Sequence, residues 1–402
     1  MKVVYANDAR FIVGNGEEIY TEHRFTYELW KRYQFEQVIV AARMIEMSPQ
    51  KQIERLDKAS GSGIYFEKIP NIHSLVDRLR NTRYVKQKIS DLLDNSDALI
   101  ARLPSEIGFV AVEVALKLKK PWAIEVVGHI WDSYWNYGTI NGKLYAPFSM
   151  LKMRSIVKKA PFAIYVTESY LQQSFPSSGI TASASNVEIP QVSEDVLVKR
   201  KRKIVETCSS ITIGLIGALY AKYKGIDTAI DAIKILKEKV TIEIKLMVLG
   251  GGDPKPWQLK ADSVGLSKHI EFCGTVPSGN AVSEWLDMID LYIQPSLTEG
   301  LPRSLIEAMS RGCPSIGSTA GGIPELLESN LLHKPKDAEQ LARLLYNFIQ
   351  NKDLQLQQAI RNFQFAKRYN KELLDNKRHQ FWKQFKHHVS QGSECRDGKE
   401  II

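Results

Sequence analysis

The sequence predicts an α/β protein built from two doubly wound units in series. Three observations carry that expectation. At 402 residues the chain is too long for one ordinary hydrophobic core. Short runs rich in Val, Ile and Ala alternate with longer segments whose apolar residues recur at helical spacing, which is the pattern of a parallel sheet covered on both faces. The rhythm stops near residue 195 and restarts near residue 211.

In the first half, KVVYA, EQVIVAA, DALIARL, PWAIEVV and APFAIYVT read as strands. Between them EHRFTYELWKRY, SLVDRLRNTRYVKQKISDLL and GFVAVEVALKLKK read as helices, giving an N-terminal domain over 1–195. Residues 196–210 include the unbroken basic run Lys199 to Lys203 and show no apolar pattern of their own. They fit a solvated linker, or a segment drawn to an anionic membrane surface. A second domain over 211–365 follows. It has strand ITIGLIGAL, helix GIDTAIDAIKILKEK, strands IEIKLMVLGGG and HIEFCG, helix AVSEWLDMI, strand DLYIQPS, helix RSLIEAMSRG and strand CPSIGS. Residues 366–390 form a basic amphipathic helix expected to pack back on the first domain, and 391–402 a flexible tail. No repeat of 20–50 residues is present, so a solenoid is not expected.

Composition narrows the class. The chain is 44% hydrophobic and 25% charged, as soluble globular proteins are. No apolar run approaches the ~18–20 residues of a membrane span. The start, MKVVYANDARFIVGNG, is too polar for a signal peptide. Cys208, Cys273, Cys313 and Cys395 are far apart, which speaks against a zinc site or a disulfide framework and fits a reducing cytoplasm. A net charge of +9 favours an anionic partner without choosing among nucleic acid, membrane and phosphorylated substrate.

Chemistry concentrates in SLTEGLPRSLIEAMSRGCPSIGSTAGGIPEL, Ser296 to Leu326. In open α/β sheets ligands bind beyond the C-terminal ends of strands, and this segment follows one. Pro302 suits a first helical position, and Gly312 ends the helix. The free N–H groups at Arg303 and Ser304 then make an anion site favoured by the helix dipole. Glu299 lies before the helix mouth and Glu307 one to two turns inside it. Carboxylates so placed flank a bound phosphate and accept hydrogen bonds from hydroxyls, which matches a diphosphate with hydroxyls at both ends. A nucleotide-sugar has that shape.

The same segment resembles the E-x7-E signature of retaining glycosyltransferases of the GT-B fold, family 4 in particular, of the type that builds bacterial exopolysaccharide, capsule and O-antigen. The match runs through GLPRSLIEAMSRGCPSIGSTAGGIPEL and includes IGLIGALYAKYKG, LMVLGGG and IEFCGTV in order, so the second half belongs as a whole. The first half matches in architecture. The resemblance implies two Rossmann-like domains facing each other across a cleft. It assigns Glu299 to hydroxyls of the donor sugar, Glu307 to the ribose, and Gly300, Leu301, Pro302 and Arg303 to the diphosphate. Lys224, beside the strand-end Gly217, would neutralise phosphate charge. The arginine expected after that glycine is Ala218 here, so its contact falls to Lys222 or Arg303.

In the first half, Val13 to Gly16 (VGNG) resembles the family's glycine-rich loop, which places Gly14 and Gly16 near the donor. His129 holds the position where the family often has a histidine close to donor sugar and acceptor. Trp131, Asp132, Tyr134 and Trp135 are acceptor candidates. The aromatics of this region fit sugar stacking, a lipid-facing groove or plain packing, and the cations that follow fit anionic lipid or nucleic acid.

The resemblance therefore implies a cytoplasmic enzyme, peripheral at the inner face of the membrane through a basic patch. It would move a sugar with retention from a nucleoside-diphosphate sugar, UDP before GDP, to a saccharide acceptor, lipid-linked. Glu299, His129 and Lys224 are the expected catalytic residues, with no cofactor, no metal and no nucleic acid. A nucleotide-sugar epimerase of similar fold and a non-catalytic basic scaffold are the competing readings.

Overall fold

The computed structural model describes residues 1–14, 18–22, 25–47, 56–131, 134, 140–206 and 209–397, with backbone alone at 75, 140, 141 and 393–397. The chain divides into two compact units, one of Met1–Ala184 with Asp375–Ile402 and the other of Ser185–Leu374.

The first unit is built on β1 (Lys2–Val13), β2 (Ile19–Thr21), the short helix α1 (Tyr27–Trp30), β3 (Gln37–Glu46), β4 (Asp57–Lys58) and β5 (Ile64–Lys68). It continues with α2 (Leu75–Asp94), β6 (Ala98–Leu103), α3 (Glu106–Leu118), β7 (Trp122–Val126), α4 (Ile140–Lys159), β8 (Phe162–Tyr165), α5 (Tyr170–Ser174) and β9 (Ile180–Ser183). Strands β5, β3, β1, β6, β7, β8 and β9 pair in that order, all parallel. Ser74 and Ser105 start α2 and α3 by accepting the N–H of Asp77 and Gly108. The last helix of the chain, α13 (Lys371–Asp397), joins this unit through aromatic contacts. Trp382 meets Tyr33 edge-on at 5.0 Å between ring centres, and Phe385 meets Phe162 at 5.3 Å.

One part of this sheet departs from the strand-to-helix expectation. Strand β1 does not stop after KVVYA. Its register shifts between Ala6 and Arg10, and it runs on to Val13, where it turns back antiparallel into β2. Gly14 donates its N–H to the Glu18 carbonyl in that hairpin. VGNG therefore leads into a strand and not a helix, so Gly14 does not open the loop assigned to it; Gly16 lies outside the described residues. Strand β1 parts from β6 at Asn7 and Asp8, and the Asp8 carboxylate accepts the N–H groups of Glu106 and Ile107 at the start of α3.

The second unit holds α6 (Glu194–Glu206), β10 (Ser210–Ile216), α7 (Ile226–Lys237), β11 (Glu243–Leu249), α8 (Lys255–Ser263), β12 (Ile270–Phe272) and α9 (Asn280–Met288). It is completed by β13 (Leu291–Gln294), α10 (Arg303–Ser310), β14 (Ser315–Ser318), β15 (Leu332–His333), α11 (Ala338–Gln350) and α12 (Lys352–Ala366). Its sheet runs β12-β11-β10-β13-β14-β15, all parallel. Strand order reverses direction between β10 and β13, the switch point at which such sheets bind ligands.

The basic run expected as a linker is helix α6. Leu197, Arg200 and Ile204 form its buried stripe, with Leu197 and Ile204 set against Ala359 and Phe363 of α12. An arginine in the middle of that stripe hides the apolar period from a sequence reading. Arg200 is only 3% exposed, and its guanidinium donates to the carbonyls of Leu286, Ile289 and Arg311. Lys203 donates to the carbonyls of Asp287, Met288 and Ile289. Two cations of the run thus cap the C-terminal end of α9, where the helix dipole favours positive charge. Lys199, Lys201 and Arg202 remain exposed.

Replacing Arg200 strips three carbonyls of a charged donor. Arg200→Leu is expected to lower the unfolding free energy by about 3 kcal/mol, while Lys201→Ala stays within about 0.5 kcal/mol of wild type. Denaturant titration followed by circular dichroism measures both, and equal stability of the two variants contradicts the capping role.

Candidate active site

At the switch point two strand ends come together. Strand β10 delivers Gly217, Ala218 and a single turn at Lys222–Lys224, and β13 delivers Pro295 to Pro302 followed by α10. Glycines make this approach possible. Gly225 is left-handed, with φ +74°, and a Cβ there would strike the carbonyl of Pro295. Gly321, with φ +57°, lies in the same way under the carbonyl of Glu299, while Gly322 donates its N–H to the Gly300 carbonyl at 2.8 Å. Leu297 N–H donates to the Tyr223 carbonyl at 2.7 Å. The loop carrying Glu299 is therefore held by backbone contacts on both sides.

Within that frame Glu299 and Lys224 form an ion pair at 2.7 Å, both side chains mostly buried. The same carboxylate oxygen, Oε1, also accepts from Ser296 Oγ at 2.8 Å and Gln294 Nε2 at 3.1 Å. Among the described residues Oε2 accepts nothing, which leaves it open to a ligand hydroxyl. Lys224 has three donors, so its ammonium can hold Glu299 and a phosphate oxygen together.

Pro302 stands one position earlier than expected. It is the residue before the helix, with φ −73° and ψ 114°, and Arg303 is the first helical residue. Among the described residues no side chain caps this end of α10. Its first N–H groups, those of Arg303 and Ser304 among them, are the donors that a helix leaves without intrahelical partners. Glu307 sits half-buried on the next turn, 3.8 Å from the Arg303 guanidinium. Burial pushes the Glu307 carboxyl up from its ordinary value, and Arg303 opposes that shift only in part. Arg303 also reaches the Asn186 carbonyl at 3.4 Å. Gly217 lies against the Lys224 side chain, Gly300 and Leu301 are half-buried beside the helix mouth, and Lys222 points to solvent. Of the two residues expected to replace the arginine absent at Ala218, Arg303 is the one on the helix that carries Glu307.

Sequence reasoning overlooked the polar residues beneath the loop. Tyr292, Gln294, Ser296 and Ser304 are linked by hydrogen bonds of 2.7–2.9 Å. Their signal was a polar residue at alternate positions of an otherwise apolar strand, which places Tyr292, Gln294 and Ser296 on one face.

In the N-terminal unit, His129 follows β7 and its ring lies against Tyr170 and Phe175, at 5.6 and 5.0 Å between ring centres. Trp131 is half-buried. Tyr134 donates to Glu106 at 2.8 Å and packs edge-on against Tyr145, whose ring also meets the Arg78 guanidinium. Glu106 and Arg78 are an ion pair at 3.0 Å. Tyr134 is thus engaged in packing and hydrogen bonding within its own unit. Asp132 and Trp135 lie outside the described residues.

Residues 210–351 match the family described as Glycosyl transferases group 1. Over 377 residues the chain is 30% identical to Protein CapJ of Staphylococcus aureus, with 92% of each chain covered. The chain belongs to the group 1 glycosyl transferases. This glycosyl transferase is also 34% identical over 137 residues to the amylovoran biosynthesis glycosyltransferase AmsK of Erwinia amylovora, across 32% of this chain and 33% of that one. Among solved structures it is similar to Alr3699/HepE of Anabaena in complex with UDP, with a TM-score of 0.62 at 16% identity, covering 97% of this chain and 100% of the other. That likeness carries the fold: the architecture is GT-B, with two Rossmann-like α/β units.

Glu307 offers a test that separates ligand binding from folding. Because the folded chain raises its pKa, Glu307 holds its proton more tightly folded than unfolded. Its contribution to stability is present at acid pH and lost as pH rises through the folded value. Glu307→Gln is therefore expected to melt above wild type at neutral pH, with the gap closing below the carboxylate range, and to bind nucleotide more weakly. Calorimetric melts across pH measure the first effect and titration calorimetry with UDP the second. A variant that melts below wild type at neutral pH contradicts the account.

Proposed function

We propose that this glycosyl transferase moves a sugar, with retention of anomeric configuration, from a nucleoside-diphosphate sugar to a hydroxyl of a saccharide acceptor in the assembly of a bacterial surface polysaccharide. The observation that carries the reading is the placement of Glu299 and Glu307 on either side of the uncapped N-terminus of α10, with Lys224 beside Glu299. Relatives named for amylovoran and colanic acid biosynthesis support the polysaccharide setting. A similar fold in complex with UDP supports UDP as the donor nucleotide.

In this reading the diphosphate lies on the N–H groups of Arg303 and Ser304, with Lys224 on its oxygens. Arg303 supplies the contact that Ala218 lacks. Glu307 accepts hydroxyls of the ribose, and Oε2 of Glu299 accepts hydroxyls of the sugar. The bond from the anomeric carbon to the phosphate oxygen breaks, and a bond from that carbon to the acceptor oxygen forms on the same face. The acceptor proton passes to the departing phosphate oxygen. Lys224 and the helix dipole stabilise the negative charge that collects on the diphosphate, the role a metal ion takes elsewhere. His129, at a strand end of the N-terminal unit, serves the acceptor.

The acceptor is lipid-linked in this proposal, because the N-terminal unit has a face suited to an anionic membrane. Helix α4 exposes Leu144, Phe148 and Leu151 along one side and Arg154, Lys158 and Lys159 further on, with no acidic residue in its sequence. Helix α2 exposes Val76, Tyr84 and Leu79, the last 88% accessible, next to Arg80 and Arg83. Glu113 of α3 pairs with both Lys86 of α2 and Lys152 of α4, which ties the three helices side by side. Apolar side chains among exposed cations are the make-up of an interfacial surface. Such attachment places the enzyme at the cytoplasmic face of the membrane.

Glu299→Ala is expected to fold as wild type and to lose transfer. The assay is release of nucleoside diphosphate from the donor that most raises the melting temperature in a panel of UDP-glucose, UDP-galactose, UDP-N-acetylglucosamine and GDP-mannose. Wild-type turnover in the variant overturns the site. For the membrane face, sedimentation with phosphatidylglycerol vesicles should retain the protein at low salt, and Phe148→Ser with Leu151→Ser should weaken retention. Equal recovery with phosphatidylcholine vesicles contradicts the charge argument.

A further inference from the structure

Gln294 is the last residue of β13 and is 1% exposed. Its amide makes four hydrogen bonds, the most it can make. The oxygen accepts from Tyr292 Oη at 2.7 Å and from Ser304 Oγ at 2.9 Å. The nitrogen donates to Ser296 Oγ at 2.9 Å and to Glu299 Oε1 at 3.1 Å. Ser296 in turn donates to the same Oε1. A polar group at this depth requires full satisfaction, and this one has it from three different segments of the chain.

We infer that Gln294 is a positioning residue for the reaction: its amide saturates Oε1 of Glu299 so that Oε2 alone faces the ligand, and it locks that carboxylate to the first turn of α10. Three observations make this more than core satisfaction. The donors on Oε1 are Lys224, Ser296 and Gln294, so the carboxylate is fixed by a fork of three directions and cannot rotate to exchange its oxygens. Ser304 belongs to the helix whose N-terminus takes the diphosphate, and it bonds the same amide that bonds Glu299. The sugar-binding carboxylate and the phosphate-binding helix end thereby share one hub, and their separation is set by a single buried amide. Tyr292, its phenol kept protonated by burial, donates to the amide oxygen from the strand side, so the amide is held at both ends. The inference rests on the proposed role of Glu299.

Two substitutions test it. Gln294→Met keeps the bulk and removes all four bonds. Gln294→Glu keeps the shape but replaces the donor facing Glu299 with a second carboxyl oxygen. The charged or titratable groups around that position are Glu299 and Tyr292, both bonded to the side chain, and Lys224 on the same Glu299 oxygen, with Glu307 further along α10. Two carboxylates so close cannot both ionise, so the introduced carboxyl holds a proton until the pH rises past the ordinary carboxylate range. While protonated it donates to Glu299 as the amide does.

Both variants are expected to bind free UDP as wild type does, because the nucleotide contacts are untouched. At pH 8 their kcat for release of nucleoside diphosphate from the best donor of the panel should fall about 10- to 100-fold, with KM changed less. Gln294→Glu should recover activity as the pH is lowered from 8 to 6, and Gln294→Met should not. Loss of UDP binding together with activity would put Gln294 in the maintenance of the fold and overturn the inference. Wild-type kcat in both variants, or a pH profile of Gln294→Glu parallel to wild type, also overturns it. Glu299→Ala run alongside distinguishes the two failures. Wild-type turnover there removes the reading of Glu299 and this inference with it, whereas inactivity there with active Gln294 variants removes the inference alone.

Discussion

Close backbone approach under residues 295–302 is the constraint on which the C-terminal unit depends. Gly225 lies beneath Pro295, and Gly321 beneath Glu299, each in a left-handed conformation and each where a Cβ would collide with a carbonyl. Only because both positions lack side chains can the loop settle onto the end of the sheet. From that descent follow the 2.7 Å pair between Lys224 and Glu299, the buried amide network under it, and the open helix end beside it. A chemical group is of little use unless its backbone is held, and here two glycines from two different loops hold it.

Positive charge in this chain does three separate physical jobs. In α6 it is structural: Arg200 and Lys203 satisfy carbonyls at the end of α9 and lie largely away from solvent. At the switch point, Lys224 and Arg303 each sit beside a carboxylate, which keeps them localised while leaving donors for a phosphate. On α4 the cations face outward among apolar side chains. The net charge of +9 therefore says little by itself; the partner of each cation says more.

Much of the fold and the core of the site were legible in the sequence, and the gaps have physical causes. Parallel strands buried on both faces are continuous apolar runs, so DLYIQPS and ITIGLIGAL declared themselves, as did α10 between Pro302 and Gly312. The hairpin after Val13 escaped because a bulge lets β1 continue past a polar stretch that looks like a strand end. Helix α6 escaped because Arg200 occupies a core position. The buried pair of Arg102 and Glu125, 2.9 Å apart on neighbouring strands and joined by Tyr5 and Tyr33, is likewise invisible to a pattern that equates charge with surface. Glu299, Glu307 and Lys224 were singled out by spacing and resemblance, and the structure sets Lys224 against Glu299. Gln294 was not, since its role lies in how the turn after β13 folds its near neighbours Ser296, Glu299 and Ser304 back onto its amide.

The central claim is that Glu299, Lys224 and the N-terminus of α10 together form one nucleotide-sugar site. A crystal structure of the chain with its best-stabilising nucleotide-sugar tests this most directly. The account predicts the diphosphate on the N–H groups of Arg303 and Ser304, with Lys224 in contact, the ribose on Glu307 and a sugar hydroxyl on the free oxygen of Glu299. A nucleotide bound elsewhere, with that helix end unoccupied, would contradict it.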